Sequence, residues 1–321
     1  MNIRMKTSVA ALVCLSLMVL ERAAGSLSAQ GAVNDDGKIV AVKNYPLPPF
    51  EQVKEVAKQW AKQDYDRAAN DPSYEFQKIT YLSDGLKVIA YLYKPKQTDG
   101  KKLPAIIFNR GSYVRGDIAA ELAPFFHRLA LQGFVIIAPL YRGSDGGEGR
   151  DEMGGADLRD LMNTLPVAKS LDFIDANNLF MYGVSRGGMM TFQAIRDGFP
   201  VNAAAVFGAF TDLDELINSD PQSYLPLSEQ IWPGFAAKRE EIVKRRSALQ
   251  WAERLNAPLL VMHGGQDRDV NPSHSLNLAQ RLQRLGKTYE LVIYAGDNHA
   301  LRRNQVERDR RAADWFKKHL K

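Results

Sequence analysis

The 321-residue chain is 45% hydrophobic and 25% charged, with 24 glycines, 15 prolines and 9% aromatic residues. Those proportions exclude a disordered, collagenous or disulfide-knotted protein, and the length suits one large core or two ordinary ones. The 42 basic and 37 acidic side chains leave a formal charge of +5 with no concentrated basic stripe, which argues against a nucleic-acid partner.

Arg4 and Lys6 precede an apolar run from about Val9 to Leu20. The run is shorter than the roughly 20 apolar residues that span a bilayer. Small residues follow in ERAAGSLSAQ, so residues 1–25 read as a removable secretory signal, with Gly25 or Ala29 at the cut. The expectation is an exported protein, periplasmic or extracellular, with no stable membrane insertion once the signal is gone. Cys14, the only cysteine, lies inside this segment behind Val13, where a lipoprotein signal would need a small residue. The mature chain is therefore expected to carry no thiol chemistry and no disulfide.

Residues 26–75 read as an N-terminal extension: a polar stretch to about Asn44, the bend YPLPPF, and an amphipathic helix from about Glu51 to Asn70. FQKITYLSDGLKVIAYLYKP reads as two strands joined by a turn at Asp84 and Gly85. From Leu103 the pattern changes to apolar runs alternating with helical stretches: PAIIFN, FVIIAPLY, NLFMYGVS, AAAVFGAF, PLLVMHG and YELVIYA. Continuous apolar strands separated by helices are what a parallel sheet covered on both faces requires. Residues 212–244 are irregular, with the length of a lid-like insertion, and are expected to supply substrate-pocket residues. A helix begins at Asn271 and Pro272 and stops at Gly286, and a last helix from about Asn304 to Leu320 is expected to turn Val306, Ala313, Phe316 and Leu320 inward. Residues 76–321 thus form one α/β domain.

The strongest chemical signal is Gly183-Val184-Ser185-Arg186-Gly187-Gly188, between the strand NLFMY and the helix-like MMTFQAI. In that context G-x-S-x-G is a strained strand-to-helix turn that exposes a serine oxygen above the sheet, and the N–H of Arg186 becomes an oxyanion donor. A serine hydroxyl needs a base. Of the five histidines, His127 and His274 fall on helices, His319 lies near the chain end, and His263 sits at a strand end where it orders a loop. His299 remains, in a loop after the strand YELVIY, on the rim where Ser185 is expected. The carboxylate that orients His299 is Asp267, with Asp269 as the fallback; Asp297 is too near His299 in sequence. The loop after PAIIFN supplies the second oxyanion donor, the N–H of Ser112, and the Arg110 side chain is a candidate source of positive charge at the site.

At these residues the chain resembles the catalytic domain of the prolyl oligopeptidase family of serine peptidases. The marks are LYRGSDGGEG (Tyr141 to Gly149), GGADLRD, YGVSRGGMM, HGGQDRDV and GDNHAL. In that family the aspartate lies four residues after the histidine of the HG motif, which favours Asp267 over Asp269. Family members usually carry HGG or YGG where this chain has Arg110-Gly111-Ser112, so no tyrosine hydroxyl is available there. Ser247-Ala248 stands in place of a common Ser-Pro. Only about 100 residues precede the hydrolase core, so the family's β-propeller is not expected.

The resemblance implies an α/β-hydrolase fold, with a mostly parallel eight-stranded sheet and helices on both faces. It implies a Ser185, Asp267, His299 triad that hydrolyses peptide bonds through an acyl-enzyme. A carboxylesterase using the same triad on esters is the alternative, and a non-catalytic binding protein is a third reading. No Walker A, HExxH or dinucleotide fingerprint occurs, so no metal or organic cofactor is expected. The expected partner is a small peptide or ester substrate, and the expected state a monomer or small homo-oligomer.

Overall fold

The six apolar runs after Leu103 are the six parallel strands of one sheet: β4 (Leu103–Asn109), β5 (Val135–Pro139), β6 (Ile174–Val184), β7 (Ala203–Phe207), β8 (Leu259–Gly264) and β9 (Tyr289–Tyr294). They are described by a computed structural model covering residues 35–53, 56, 58–113 and 116–321. The expected secretory signal lies outside those residues. β2 (Tyr74–Ser83) and β3 (Leu86–Pro95) pair antiparallel across the Asp84-Gly85 turn, and β3 joins the parallel strands by pairing antiparallel with β5.

With β1 (Ile39–Asn44) at one edge, the sheet order is β1-β2-β3-β5-β4-β6-β7-β8-β9. It has nine strands among the described residues, not eight. The additional strand is β1 (Ile39–Asn44), in the stretch read as polar. It is an edge strand on β2 with Val40 and Val42 exposed, so most of what it gains is backbone pairing, which leaves little trace in composition.

Two apolar layers cover the sheet. One packs α1 (Lys62–Asn70), α2 (Ala119–Ala130) and α10 (Gln305–Lys318) against Phe108, Phe180, Tyr182 and Phe207. The other contains Met189, Met190 and Phe192 of α5 (Arg186–Arg196) with Leu278 and Leu282 of α9 (Ser273–Arg284). Phe316 is fully buried in the first layer, with ring centroids 5.0 Å from Phe180 and 5.9 Å from Phe134. Phe316→Ala is therefore expected to cost about 3–5 kcal/mol, measured by urea unfolding. A loss below 1 kcal/mol would show that the site collapses freely.

Three expectations need correction. Among the described residues the helix foreseen over 51–70 is not continuous: a short 3-10 turn (Phe50–Gln52), a helical Val56 and, separately, α1. Between them the Trp60 indole N–H donates to Glu121 O at 2.8 Å, while the Tyr65 hydroxyl donates to Pro48 O at 2.7 Å. These tertiary anchors override the local periodicity. Residues 212–244 are not irregular but carry α6 (Leu213–Ser219), α7 (Pro221–Ile231) and most of α8 (Phe235–Arg246). Asp212 caps α6 by accepting from the N–H groups of Asp214 and Glu215, and Asp220 caps α7 by accepting from the Ser223 N–H. In α10, Ala313 and Phe316 do face inward, but Val306 is 66% exposed and Leu320 lies beyond the helix in solvent. The buried places go instead to Arg308 and Asp309, paired with each other and with the Arg308 guanidinium stacked on Phe207.

Candidate active site

β6 ends at Val184 and α5 begins at Arg186, leaving Ser185 alone at the turn with φ 54° and ψ −121°. This left-handed backbone is strained for a residue with a side chain. It is held by the Ser185 N–H donating to Phe207 O at 3.0 Å and by the Gly188 N–H donating to Ser185 O at 2.9 Å. A Cβ on Gly187 would lie 1.9 Å from Asn109 O, so the turn closes against β4 only with glycine there. The Arg186 N–H lies in the first turn of α5, among groups with no partner inside the helix and at the positive end of its dipole.

His299 Nδ1 lies 2.7 Å from Asp267 Oδ2. The aspartate is fully engaged: Oδ1 accepts from the N–H groups of Asp269 and Val270, both at 2.9 Å, and Oδ2 also meets His263 Nε2 at 3.1 Å. Burial pushes its carboxyl up, but the hydrogen bonds of His263 and His299 outweigh it and hold Asp267 well below the usual carboxylate range. His263, read only as a loop-orderer, is itself fixed through Ser275 Oγ on Nδ1 at 2.6 Å and Val270 O on Nε2 at 2.9 Å. It is thus a positioning residue behind Asp267. The His299 ring packs on Gly208, where an added Cβ would lie 3.0 Å from Nδ1.

Ser185 and His299 line one cavity of about 280 Å³. Among the described residues the hydrogen bond of His299 Nδ1 goes to Asp267 rather than Asp269, whose own N–H donates to Asp267. Asp297 is buried, accepting from the N–H groups of Asn298, Arg303 and Asn304, a turn-holding arrangement.

Gly111 lies against the serine, since a Cβ there would be 3.3 Å from Ser185 Cβ. Gly111 O accepts from Arg110 Nη1 at 3.0 Å. In a trans peptide the C=O and N–H point opposite ways, so the Ser112 N–H faces away from Arg110. The Arg110 guanidinium is not turned to the reacting centre. It donates to Leu140 O, Tyr113 O, Ser112 O and Ser144 Oγ, and so braces the loop.

The Arg186 side chain is buried too, bonded to Asp151 at 2.6 Å, Asp157 at 2.7 Å and Ser112 O at 2.9 Å. Burial alone would lower its pKa; the two carboxylates raise it above the ordinary arginine value. Asp157 is lowered against its own burial by Arg186 and the N–H groups of Gly154 and Gly155. Tyr141 lies between the two guanidiniums, 5.0 Å from that of Arg110 and 4.8 Å from that of Arg186. In GGADLRD, Asp157 thus serves Arg186, while Asp160 takes the Arg142 side chain at 2.7 Å.

The cavity wall contains no residue of 212–244, contrary to expectation. Its apolar side is Trp60, Phe108, Leu122, Phe125 and Phe207, drawn from the N-terminal segment, α2 and two strand ends. No local pattern in the sequence tells which face of a sheet a preceding segment will cover.

Comparison with known proteins bears on the family and the fold. The sequence profile of the prolyl oligopeptidase family matches residues 124–321. A Bacillus subtilis (strain 168) protein described as uncharacterized peptidase YtmA is 28% identical over 244 residues, covering 74% of this chain and 92% of that protein. Other curated relatives are longer, and the chain spans between 25% and 39% of them. A Mycobacterium tuberculosis puromycin-hydrolyzing peptidase superposes with a TM-score of 0.67 at 22% identity, over 78% of this chain and 40% of that one. A truncated carbohydrate esterase from gut microbiota gives 0.59 at 18% identity, over 72% and 90%. At those identities the two structures speak to the fold alone.

Proposed function

The chain belongs to the prolyl oligopeptidase family and is a serine hydrolase; from that premise we propose that it cleaves peptide bonds with Ser185 as nucleophile, His299 as base and Asp267 as the group that orients it. The observation that carries the reading is the 2.7 Å contact of His299 Nδ1 with a fully hydrogen-bonded Asp267, on the same cavity as a serine at a strained strand–helix turn.

Asp267 holds the Nδ1–H tautomer, so His299 Nε2 is the free base. As Ser185 Oγ bonds to the acyl carbon, its proton passes to Nε2. The negative charge moves to the carbonyl oxygen, which the N–H groups of Arg186 and Ser112 stabilise. When the C–N bond breaks, His299 returns that proton to the departing nitrogen. Water then adds to the acyl-enzyme by the same route, its proton going to His299 and on to Ser185 Oγ. Removing one oxyanion donor of this kind typically lowers kcat by about 10²–10³. Burial and the Asp267 bond network supply a base held in one orientation before substrate arrives.

The signal-like residues 1–25 support export to the periplasm or exterior. One experiment addresses both parts. Fluorophosphonate treatment of the exported protein and its Ser185→Ala variant, read by intact mass, is expected to give one adduct on the native chain and none on the variant. The same masses should begin at residue 26 or 30. No adduct on folded native protein would overturn the triad, and an uncut chain would overturn the export reading. Matched p-nitrophenyl esters and aminoacyl amides then separate peptidase from carboxylesterase: hydrolysis of esters alone would replace peptide by ester chemistry at the same residues.

A further inference from the structure

A second hollow of about 600 Å³ opens beside His299. It shares His299 and Ala300 with the serine cavity, so the two meet at the imidazole. Its character is opposite. Where the serine cavity is walled by aromatic rings, this one is walled by Arg268, Arg302 and Arg303, with Asn298 and Gln266 between them. All three arginines are exposed, and among the described residues none of their guanidiniums has an ion pair or side-chain hydrogen bond. Most other arginines near the site are committed: Arg110, Arg186 and Arg308 are all buried and bonded.

Two carboxylates share the wall, Asp269 and Asp297. Asp297 is spent on the N–H groups of Asn298, Arg303 and Asn304. Three arginines against these two carboxylates leave the wall net positive by one, with all three guanidiniums unpaired among the described residues. The loops that carry these arginines are the same ones that carry Asp267 and His299, so the charge is fixed to the proton-transfer machinery.

We propose that this hollow is a carboxylate-binding subsite on the leaving-group side, so that preferred substrates carry an anionic carboxylate on the departing amine or alcohol. The inference rests on the hydrolytic reading of Ser185 and His299. In that reading the acyl carbon sits at Ser185 and the departing atom must reach His299 to receive its proton. The arginine-lined hollow adjoins that imidazole, so a group carried just beyond the departing atom comes within its reach. A guanidinium fork pairs with a carboxylate through two parallel N–H···O bonds, so the match is of shape as well as charge.

The test uses three substrates with one acyl group and one scissile bond: a departing leucine with its free carboxylate, the same leucine as its carboxamide, and a departing glutamate carboxamide. The native protein is expected to prefer an anionic leaving group over the neutral one by about tenfold in kcat/KM at low salt, and the ratio should shrink towards one near 0.5 M salt, where the Debye length is only about 4 Å. Preference for the leucine acid assigns the arginines to a chain-terminal carboxylate, and preference for the glutamate amide assigns them to an acidic side chain; either supports the subsite. Arg302→Gln/Arg303→Gln is expected to bring the ratio near one, whereas Arg310→Gln, on the outer face of α10, leaves it. Arg268→Gln is a second variant should the double one fail to fold, and fluorophosphonate labelling of each variant reports an intact serine site. Equal rates on all three substrates with Ser185 still labelled would overturn the subsite and leave the hydrolase reading standing. No labelling of native protein would remove both.

Discussion

Asp267→Asn is expected to lower kcat by about four orders of magnitude while leaving the fold in place. Asparagine keeps the outline of the side chain, and its carbonyl oxygen can still accept from the N–H groups of Asp269 and Val270. Its amide nitrogen then faces His299 Nδ1, where the carboxylate oxygen stood at 2.7 Å. An N–H can only donate, so His299 must present a bare Nδ1 and carry its proton on Nε2. That leaves no lone pair for the Ser185 proton. His263 Nε2–H loses the same carboxylate oxygen, 3.1 Å away, but keeps Val270 O at 2.9 Å as its acceptor, which holds the loop closed. Steady-state kinetics on an activated ester, with near-ultraviolet circular dichroism as the control for packing, measures the effect. A loss smaller than tenfold in a folded variant would remove Asp267 from the mechanism.

The same substitution has a stability signature. The carboxyl of Asp267 is held below its ordinary value of 3.8, so it contributes stability that is fully present above that value and drains away as the pH falls beneath it. The native protein should therefore lose more stability than Asp267→Asn on acidification below about pH 4. Equal losses would mean that the network around Asp267 is not tighter than in the unfolded chain.

The parts of this site that were legible in sequence are those written in local chemistry. Ser185 could be placed because the turn needs small neighbours on both sides of a strand–helix junction, and that requirement is local. All six parallel strands were legible because a strand buried on both faces must be apolar throughout. Strand β1 was not, because an edge strand with one exposed face carries no such demand. The ion network was out of reach for a different reason. Nothing local distinguishes Asp157, which neutralises Arg186, from any solvated aspartate, and their partnership spans β6 and two helices. Nor could α10 be oriented by apolar spacing alone, since Arg308 is buried by pairing with Asp309 and stacking on Phe125 and Phe207. Buried pairs reverse the usual inside–outside reading of charge, and periodicity arguments fail wherever they occur. The pocket wall shows the same limit: Trp60 reaches the cavity because of how the N-terminal segment crosses α2, a matter of topology rather than composition.

Removing the Arg186 side chain is expected to destabilise the protein by about 3–5 kcal/mol, the usual consequence of leaving buried charge without its partner. Arg186→Met keeps most of the volume but deprives the fully buried Asp157 of its ion-pair partner, leaving it the N–H groups of Gly154 and Gly155 and the more distant charge of Arg246. Asp151 fares better, because Arg110 lies 3.5 Å away. Two consequences then separate. Stability should recover in part when Asp157→Asn is added, since both buried charges leave together and an amide oxygen can still accept from the glycine N–H groups. Activity should not recover with it. Arg186 also holds Ser112 O at 2.9 Å, and without that bond the loop beside Ser185 loses one of the two guanidiniums that fix it. The backbone N–H of residue 186 is unchanged by either substitution, so the expected loss in kcat is about ten- to a hundredfold, below the effect of deleting an oxyanion donor outright. Urea unfolding of the native, single and double variants, paired with kcat on one activated ester, distinguishes the two roles. If kcat returned with stability in the double variant, Arg186 would be a purely structural cation. If stability failed to return at all, the cost would lie in packing against Tyr141 rather than in uncompensated charge.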